Sequence, residues 1–155
     1  MKASVYVISA IAAGAFAASA IAGEATAPSK VMVTEDLTVA KSLTGAPGDA
    51  ASGREVFLNR KQGNCLACHK NSDMAAEPFH GEVGPSLDGA GDRWSAEEIR
   101  AIVVNPKKVF GDATIMPAFY RDSGFNRNAK NFKGKTILSA EQVEDIIAYV
   151  SSLKE

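Results

Sequence analysis

The chain is poor in the residues from which most reactive or metal-binding sites are built. Of its 155 residues only two are cysteine, two are histidine and one is tryptophan. There is no second C-x-x-C pair to complete a zinc site, and His80 is the only histidine besides His69. No β-α-β pattern surrounds the cysteines, which argues against a thioredoxin-like redox dithiol. Charge of either sign is also lacking in excess. With 17 basic and 18 acidic side chains the formal net charge is −1, which excludes the broadly basic surface of a nucleic-acid binder. Convincing runs of alternating apolar and polar residues are absent too, so the chain is expected to be all-α with long loops.

What is present is concentrated in five residues, Cys65-Leu66-Ala67-Cys68-His69. This C-x-x-C-H arrangement is the attachment motif for c-type haem. Each thiol forms a thioether with one porphyrin vinyl group, and the next imidazole becomes the proximal iron ligand. One covalently attached haem c is therefore expected on Cys65, Cys68 and His69. A plain structural disulfide between the two cysteines is the remaining alternative.

The N-terminus supplies the compartment such chemistry needs. Lys2 is followed by an uncharged, alanine-rich run from Val5 to Ala22, and Ala18-Ser19-Ala20 or Ala20-Ile21-Ala22 offers small residues for cleavage. We read residues 1–22 as a secretory signal peptide, cleaved on export to the periplasm; an uncleaved anchor is disfavoured by the weak hydrophobicity of alanine. A cut after Ala22 leaves 133 residues with 16 basic and 18 acidic side chains, consistent with one small domain whose core the cofactor helps to complete.

Residues 23–48 are rich in Ala, Thr, Pro, Ser and Gly and read as an extended arm, lying free, on a partner or on the domain itself. The domain proper spans 49–155. Its first helix is expected to start with Asp49 as cap and to run through Gly53, Val56 and Phe57 toward Lys61. A second begins at the capping box Ser95-Ala96-Glu97-Glu98 and stops before Pro106. The last begins at Ser139 with Gln142 and carries Val143, Ile146, Ile147 and Val150 on one face. Between them, residues 70–94 and 109–139 read as loops wrapping a central disc, with Phe79, Trp94, Phe119, Tyr120, Phe125 and Phe132 as its aromatic wall.

The second axial position decides between electron transfer and chemistry at iron. Met32, Met74, Met116 and His80 are the candidates, with lysines ranked last. Met74 lies only five residues beyond His69, too near to reach the opposite face. Met116 lies in Thr114-Ile115-Met116-Pro117-Ala118-Phe119, where Pro117 holds it extended. Met116 is therefore the expected distal ligand, and a thioether opposite imidazole raises the potential and closes the site to small ligands. Around the site, the Pro85 carbonyl is a candidate acceptor for the Nδ1 of His69. Arg93 and Trp94 are candidate donors to haem propionates, or simply part of the loop leading into the second helix. The segment 121–135 holds Arg121, Arg127, Lys130, Lys133 and Lys135 against one acid, Asp122, and either steers an acidic partner or is merely solvated.

The order of helix, C-x-x-C-H, Gly-Pro loop, helix, Met-Pro loop and final helix over 49–153 resembles class I cytochromes c. In that resemblance Gly53 and Phe57 match the glycine and aromatic that pack against the terminal helix, here at Ile146 and Tyr149. A narrower resemblance is carried by LTGAPGD at 43–49, RKQGNCLACH at 60–69, TIMPAFY at 114–120 and FKGKTILS at 132–139, which are similar to the SoxX family of mono-haem cytochromes. It implies a heterodimer with a SoxA-like cytochrome that conjugates thiosulfate oxidatively to a cysteine of the carrier protein SoxY, with a small cytochrome as electron acceptor. With both cysteines committed to thioethers, no thiol nucleophile remains on this chain and no catalytic residue is assigned to it. A free-standing class I carrier serving an oxidase or other respiratory enzyme is the alternative, and a haem sensor or haem enzyme with open coordination a third reading.

Overall fold

A computed structural model of the chain describes residues 24–155; the expected signal peptide at 1–22 lies outside the described residues. Among these residues the secondary structure is helical, with no strand: α1 Ala50–Leu58, α2 Ala90–Arg93, α3 Ala96–Val104, α4 Pro106–Phe110 and α5 Ala140–Ser152, with short 3-10 turns between them.

Helix α1 starts where Asp49 accepts a 2.7 Å bond from the Ser52 amide, and that bond holds the carboxyl below its ordinary range. The helix ends at Leu58, earlier than the expected Lys61. Asn59 is the reason: its carbonyl accepts from the Gln62 and Asn64 amides and its side chain from the Lys61 amide at 2.9 Å, folding residues 59–64 into a turn that competes with the helix. Capping boxes open α3 at Ser95 and Glu98 and α5 at Ser139 and Gln142. Two short helices go beyond the three expected, the first within the 70–94 segment expected to be loop and the second just before the 109–139 one. Ala90–Arg93 interrupts the former segment, and Pro106–Phe110 restarts the chain after α3, with proline at the first helical position, where its missing amide costs nothing.

The frame of the molecule is the crossing of α1 on α5. A Cβ on Gly53 would fall 2.0 Å from the Asp145 carbonyl oxygen, so only glycine permits this approach. One turn on, Phe57 meets Tyr149 edge-on, with ring centroids 5.5 Å apart. Helix α3 also packs on α5, and the apolar stripe Val143, Ile146, Ile147 and Val150 of α5 is buried in the core.

The N-terminal arm lies on its own domain. Val39 and Leu43 are buried in the core, the Val39 amide donates to the Glu97 carbonyl, and the Tyr120 hydroxyl donates to the Thr26 carbonyl at 2.9 Å. A buried ion pair underlies the arm. Arg100 on α3 and Glu144 on α5 meet in a two-point contact at 2.9 and 3.0 Å; Arg100 also donates to the Val39 carbonyl, and Glu144 accepts from the Leu43 amide.

Candidate haem-attachment site

Asn64 adopts a left-handed conformation, φ 49°, and turns the chain out of the 59–64 turn into a 3-10 turn, Cys65–Ala67. The amides of Cys68 and His69 both bond to the Cys65 carbonyl, at 3.0 and 2.9 Å. Spacings of three and four in a helical turn bring Cys65, Cys68 and His69 to one face. Both thiols are free, and burial pushes that of Cys65 up to about 12. A thiol so hard to ionise is the opposite of a redox-active dithiol nucleophile.

His69 is held from behind by residues 81–87, which run beside residues 66–70. The amides of Gly81, Gly84 and Leu87 bond to the carbonyls of Leu66, Cys68 and Lys70 at 2.8–2.9 Å. The His69 Nδ1 lies 2.7 Å from the Pro85 carbonyl oxygen. A carbonyl only accepts, so Nδ1 carries the proton and Nε2 presents its lone pair, the tautomer a metal requires. Gly84 makes the approach possible, since a Cβ there would fall 2.3 Å from the imidazole Cε1.

The far end of this loop is tied down by Asp88 and Arg93. Asp88 accepts from the Ser72 amide at 2.6 Å and from the hydroxyls of Ser72 and Ser86, and the Ser72 amide bond chiefly holds its carboxyl below the ordinary range. The Arg93 guanidinium donates to the carbonyls of Asp88 and Ser86, so its observed bonds brace the loop; Trp94, which follows it, is exposed. Neither the Asp88 cluster nor these bonds were visible in the sequence, because they join ordinary loop residues to backbone carbonyls.

The candidates for the distal position separate clearly. Met32 is 79 % exposed on the arm, and Met74 is fully buried in the core. His80 accepts from the Asn71 amide at Nδ1 and donates from Nε2 to the Met74 carbonyl, which occupies both its nitrogens. Met116 packs partly buried against the core in an otherwise open loop, beside Ile115 at 77 % exposure. Of the aromatic wall expected from sequence, Phe119 and Tyr120 are built into the protein core, where burial raises the Tyr120 hydroxyl. Phe79, Trp94 and Phe125 remain exposed, and Phe132 is part-exposed. Among the described residues no group of three or more His, Cys, Asp or Glu side chains forms a metal site.

These observations fit a covalent haem: two free thiols and an oriented imidazole on one turn, and exposed apolar side chains, Phe79, Val83 and Ile115, in segments close to His69 and Met116. Residues 50–154 match the cytochrome c family. A chain of the crystal structure of SoxXA from P. pantotrophus is 42 % identical, with a TM-score of 0.78, over 84 % of this chain and 99 % of that one. The c-type cytochrome SorU from Sinorhizobium meliloti is 32 % identical over 68 % of this chain and 90 % of its own, with a TM-score of 0.44. No curated protein matches. The chain belongs to the cytochrome c family, the electron-transfer proteins with covalently bound haem c. Within that family it is a SoxX-type cytochrome.

Proposed function

We propose that this chain is the mono-haem electron-transfer subunit of a SoxAX-type complex in the periplasm, exported by a cleaved signal peptide at 1–22, with an arm at 23–48 and the cytochrome domain at 49–155. The observation that carries this reading is the 42 % identity to a chain of SoxXA, spanning 99 % of that chain. Cys65 and Cys68 would hold a single haem c by thioethers, with His69 as the proximal ligand and Met116 as the distal one. The haem supplies an iron that takes up and releases one electron at a time.

The protein's own part is to orient and to exclude. The Pro85 carbonyl fixes the proton of His69 on Nδ1 and so directs Nε2 outward. Arg93 and Asp88 brace the loop that carries Pro85; the exposed Trp94 is left as the candidate donor to a propionate. Met116 would close the second iron position, so that small molecules are kept off and the site transfers electrons only.

Sulfur chemistry then belongs to a SoxA-like partner. A carrier cysteine thiol on SoxY and thiosulfate join through a new S–S bond with release of one proton and two electrons, and this chain passes the electrons on to a small cytochrome. Arg127, Lys130, Lys133 and Lys135 are exposed and, among the described residues, form no ion pair; they suit an acidic redox partner. The test is purification of the haem-loaded protein, tagged at its C-terminus, from thiosulfate-grown cells. A second cytochrome co-eluting in fixed ratio, in a complex that conjugates thiosulfate to a carrier cysteine, is expected. A monomer that only exchanges electrons with a respiratory enzyme would overturn the subunit assignment in favour of a free-standing carrier.

A further inference from the structure

The loop bearing Met116 is weakly held by its own backbone. It leaves α4 at Gly111, whose φ is 82°, and Asp112 and Ala113 are exposed. Within it the Thr114 amide reaches the Gly111 carbonyl at 3.4 Å and the Met116 amide reaches the Thr114 hydroxyl at 3.3 Å, both long bonds. Its far end is anchored to α3 by the Phe119 amide on the Val103 carbonyl at 3.1 Å. The Gly111 amide closes α4 on the Lys107 carbonyl at 3.1 Å, and between Gly111 and Met116 the only short bond among the described residues comes from a side chain. The Lys107 ammonium on α4 donates to the Thr114 carbonyl at 2.6 Å and to the Asp112 carbonyl at 3.2 Å.

We infer that Lys107 is a positioning residue for Met116. Its ammonium gathers two carbonyls that otherwise face water and fixes the loop two residues before the thioether. Charge-assisted bonds of this kind are the stronger class, and here they bind a segment with little else to hold it. The adjacent Lys108 is exposed and makes no such bond among the described residues, so position rather than charge in general distinguishes Lys107. The inference rests on the reading of Met116 as distal ligand.

The experiment uses the full-length holoprotein. Lys107→Met removes the donor and keeps the stem, Lys108→Met removes the same charge one residue away, and Lys107→Arg restores a cation. The readouts are the far-red ferric absorption that reports thioether ligation, the rate at which reduced protein binds carbon monoxide, and the midpoint potential. Lys107→Met is expected to weaken the far-red band, lower the potential and raise the carbon monoxide rate about tenfold, as the open fraction of the loop rises. Lys108→Met is expected to match wild type, and Lys107→Arg to recover most of the band. If Lys107→Met does not accumulate, Lys107→Gln serves the same comparison. Lys107 and Lys108 variants that behave alike would overturn the inference. Met116→Ala separates the two levels: if it too keeps the band and resists carbon monoxide, the ligand assignment fails; if it loses both while Lys107→Met does not, only the positioning role fails.

Discussion

Replacing Glu144 by alanine is expected to destabilise the protein severely without touching any residue near the haem motif. Glu144 is 2 % exposed and Arg100 7 %, so neither side chain can exchange its partner for bulk water. The substitution removes both bonds to Arg100 and the 2.8 Å bond from the Leu43 amide. Arg100 keeps only the Val39 carbonyl. Breaking one side of a buried pair costs roughly 3–5 kcal/mol, and an orphaned buried amide roughly 1–3 kcal/mol. The two overlap, because water entering the alanine cavity solvates both groups, and about 4 kcal/mol remains. Against a total stability of roughly 5–15 kcal/mol this is a large fraction, equivalent to a fall of about 12–20 °C in Tm for a domain of this size. Thermal unfolding of the holoprotein followed by far-ultraviolet circular dichroism measures it. Limited proteolysis should at the same time show faster cutting around residues 39–43, since two of the three bonds that pin the arm to α3 and α5 there involve this pair. Arg100→Met combined with Glu144→Leu should recover most of the loss, because two apolar side chains leave no buried charge behind. A loss under ~1 kcal/mol in the single variant would refute the account of the pair as the lock that holds the arm to α3 and α5.

Four further outcomes are expected. The Cys65→Ala, Cys68→Ala double variant should lose its haem to acidified organic solvent, where wild type retains it; undiminished retention would exclude thioether attachment. Gly84→Ala places a methyl group within 2.3 Å of the His69 ring, so the Soret spectrum and midpoint potential should shift, and unchanged values would show that the loop does not set the imidazole. Tyr149→Phe removes the 2.7 Å bond to Asp73 and the 2.8 Å bond from buried Asn71; it should cost roughly 1–2 kcal/mol at neutral pH. The Tyr149 hydroxyl, and then Arg54, hold Asp73 below its ordinary 3.8, a stabilisation present above that value and lost as pH falls through the lowered one, so the Tm gap should narrow below about pH 3.8. Lys130→Glu with Lys133→Glu should slow electron exchange with an acidic redox partner about tenfold at low ionic strength, with the difference vanishing in stopped-flow traces at high salt.

Local chemistry made much of this molecule readable in advance. The caps at Asp49, Ser95 and Ser139 set three helix starts, because capping depends on residues three apart in sequence. The attachment turn was equally legible, since Cys65, Cys68 and His69 lie within one turn. Even the contact of Pro85 with His69 was within reach, because a glycine-proline loop so close downstream has few places to go. The end of α1 was not, because Asn59 works through its own side chain and carbonyl against a helical pattern that continues past it. Nor was α4, whose proline reads as a stop until the chain is seen to bend at Asn105 and start again. The arm's position depends on the Arg100–Glu144 pair, 44 residues apart, with a third partner 101 residues from Glu144. No local pattern carries that pairing.

The same division separates what stabilises the protein from what tunes its site. The α1–α5 crossing, sealed at Gly53, and the Arg100–Glu144 lock lie in helix-to-helix and helix-to-arm contacts. The two loops that serve the site are held by other means: the 81–87 loop by backbone bonds to residues 66–70, and the Met116 loop by Lys107 on one side and α3 on the other. Neither loop shares a hydrogen bond with the ion pair. Damage to the frame should therefore lower Tm while the ferric spectrum of the folded fraction stays that of wild type. Damage to a loop should do the reverse, since a single surface tether contributes little to global stability but, on the proposed ligation by Met116, sets where the ligand stands. Glu144→Ala and Lys107→Met are the opposed cases, and measuring both Tm and the far-red band on each tests the division itself: a variant that moved both together would show that frame and loops unfold as one unit.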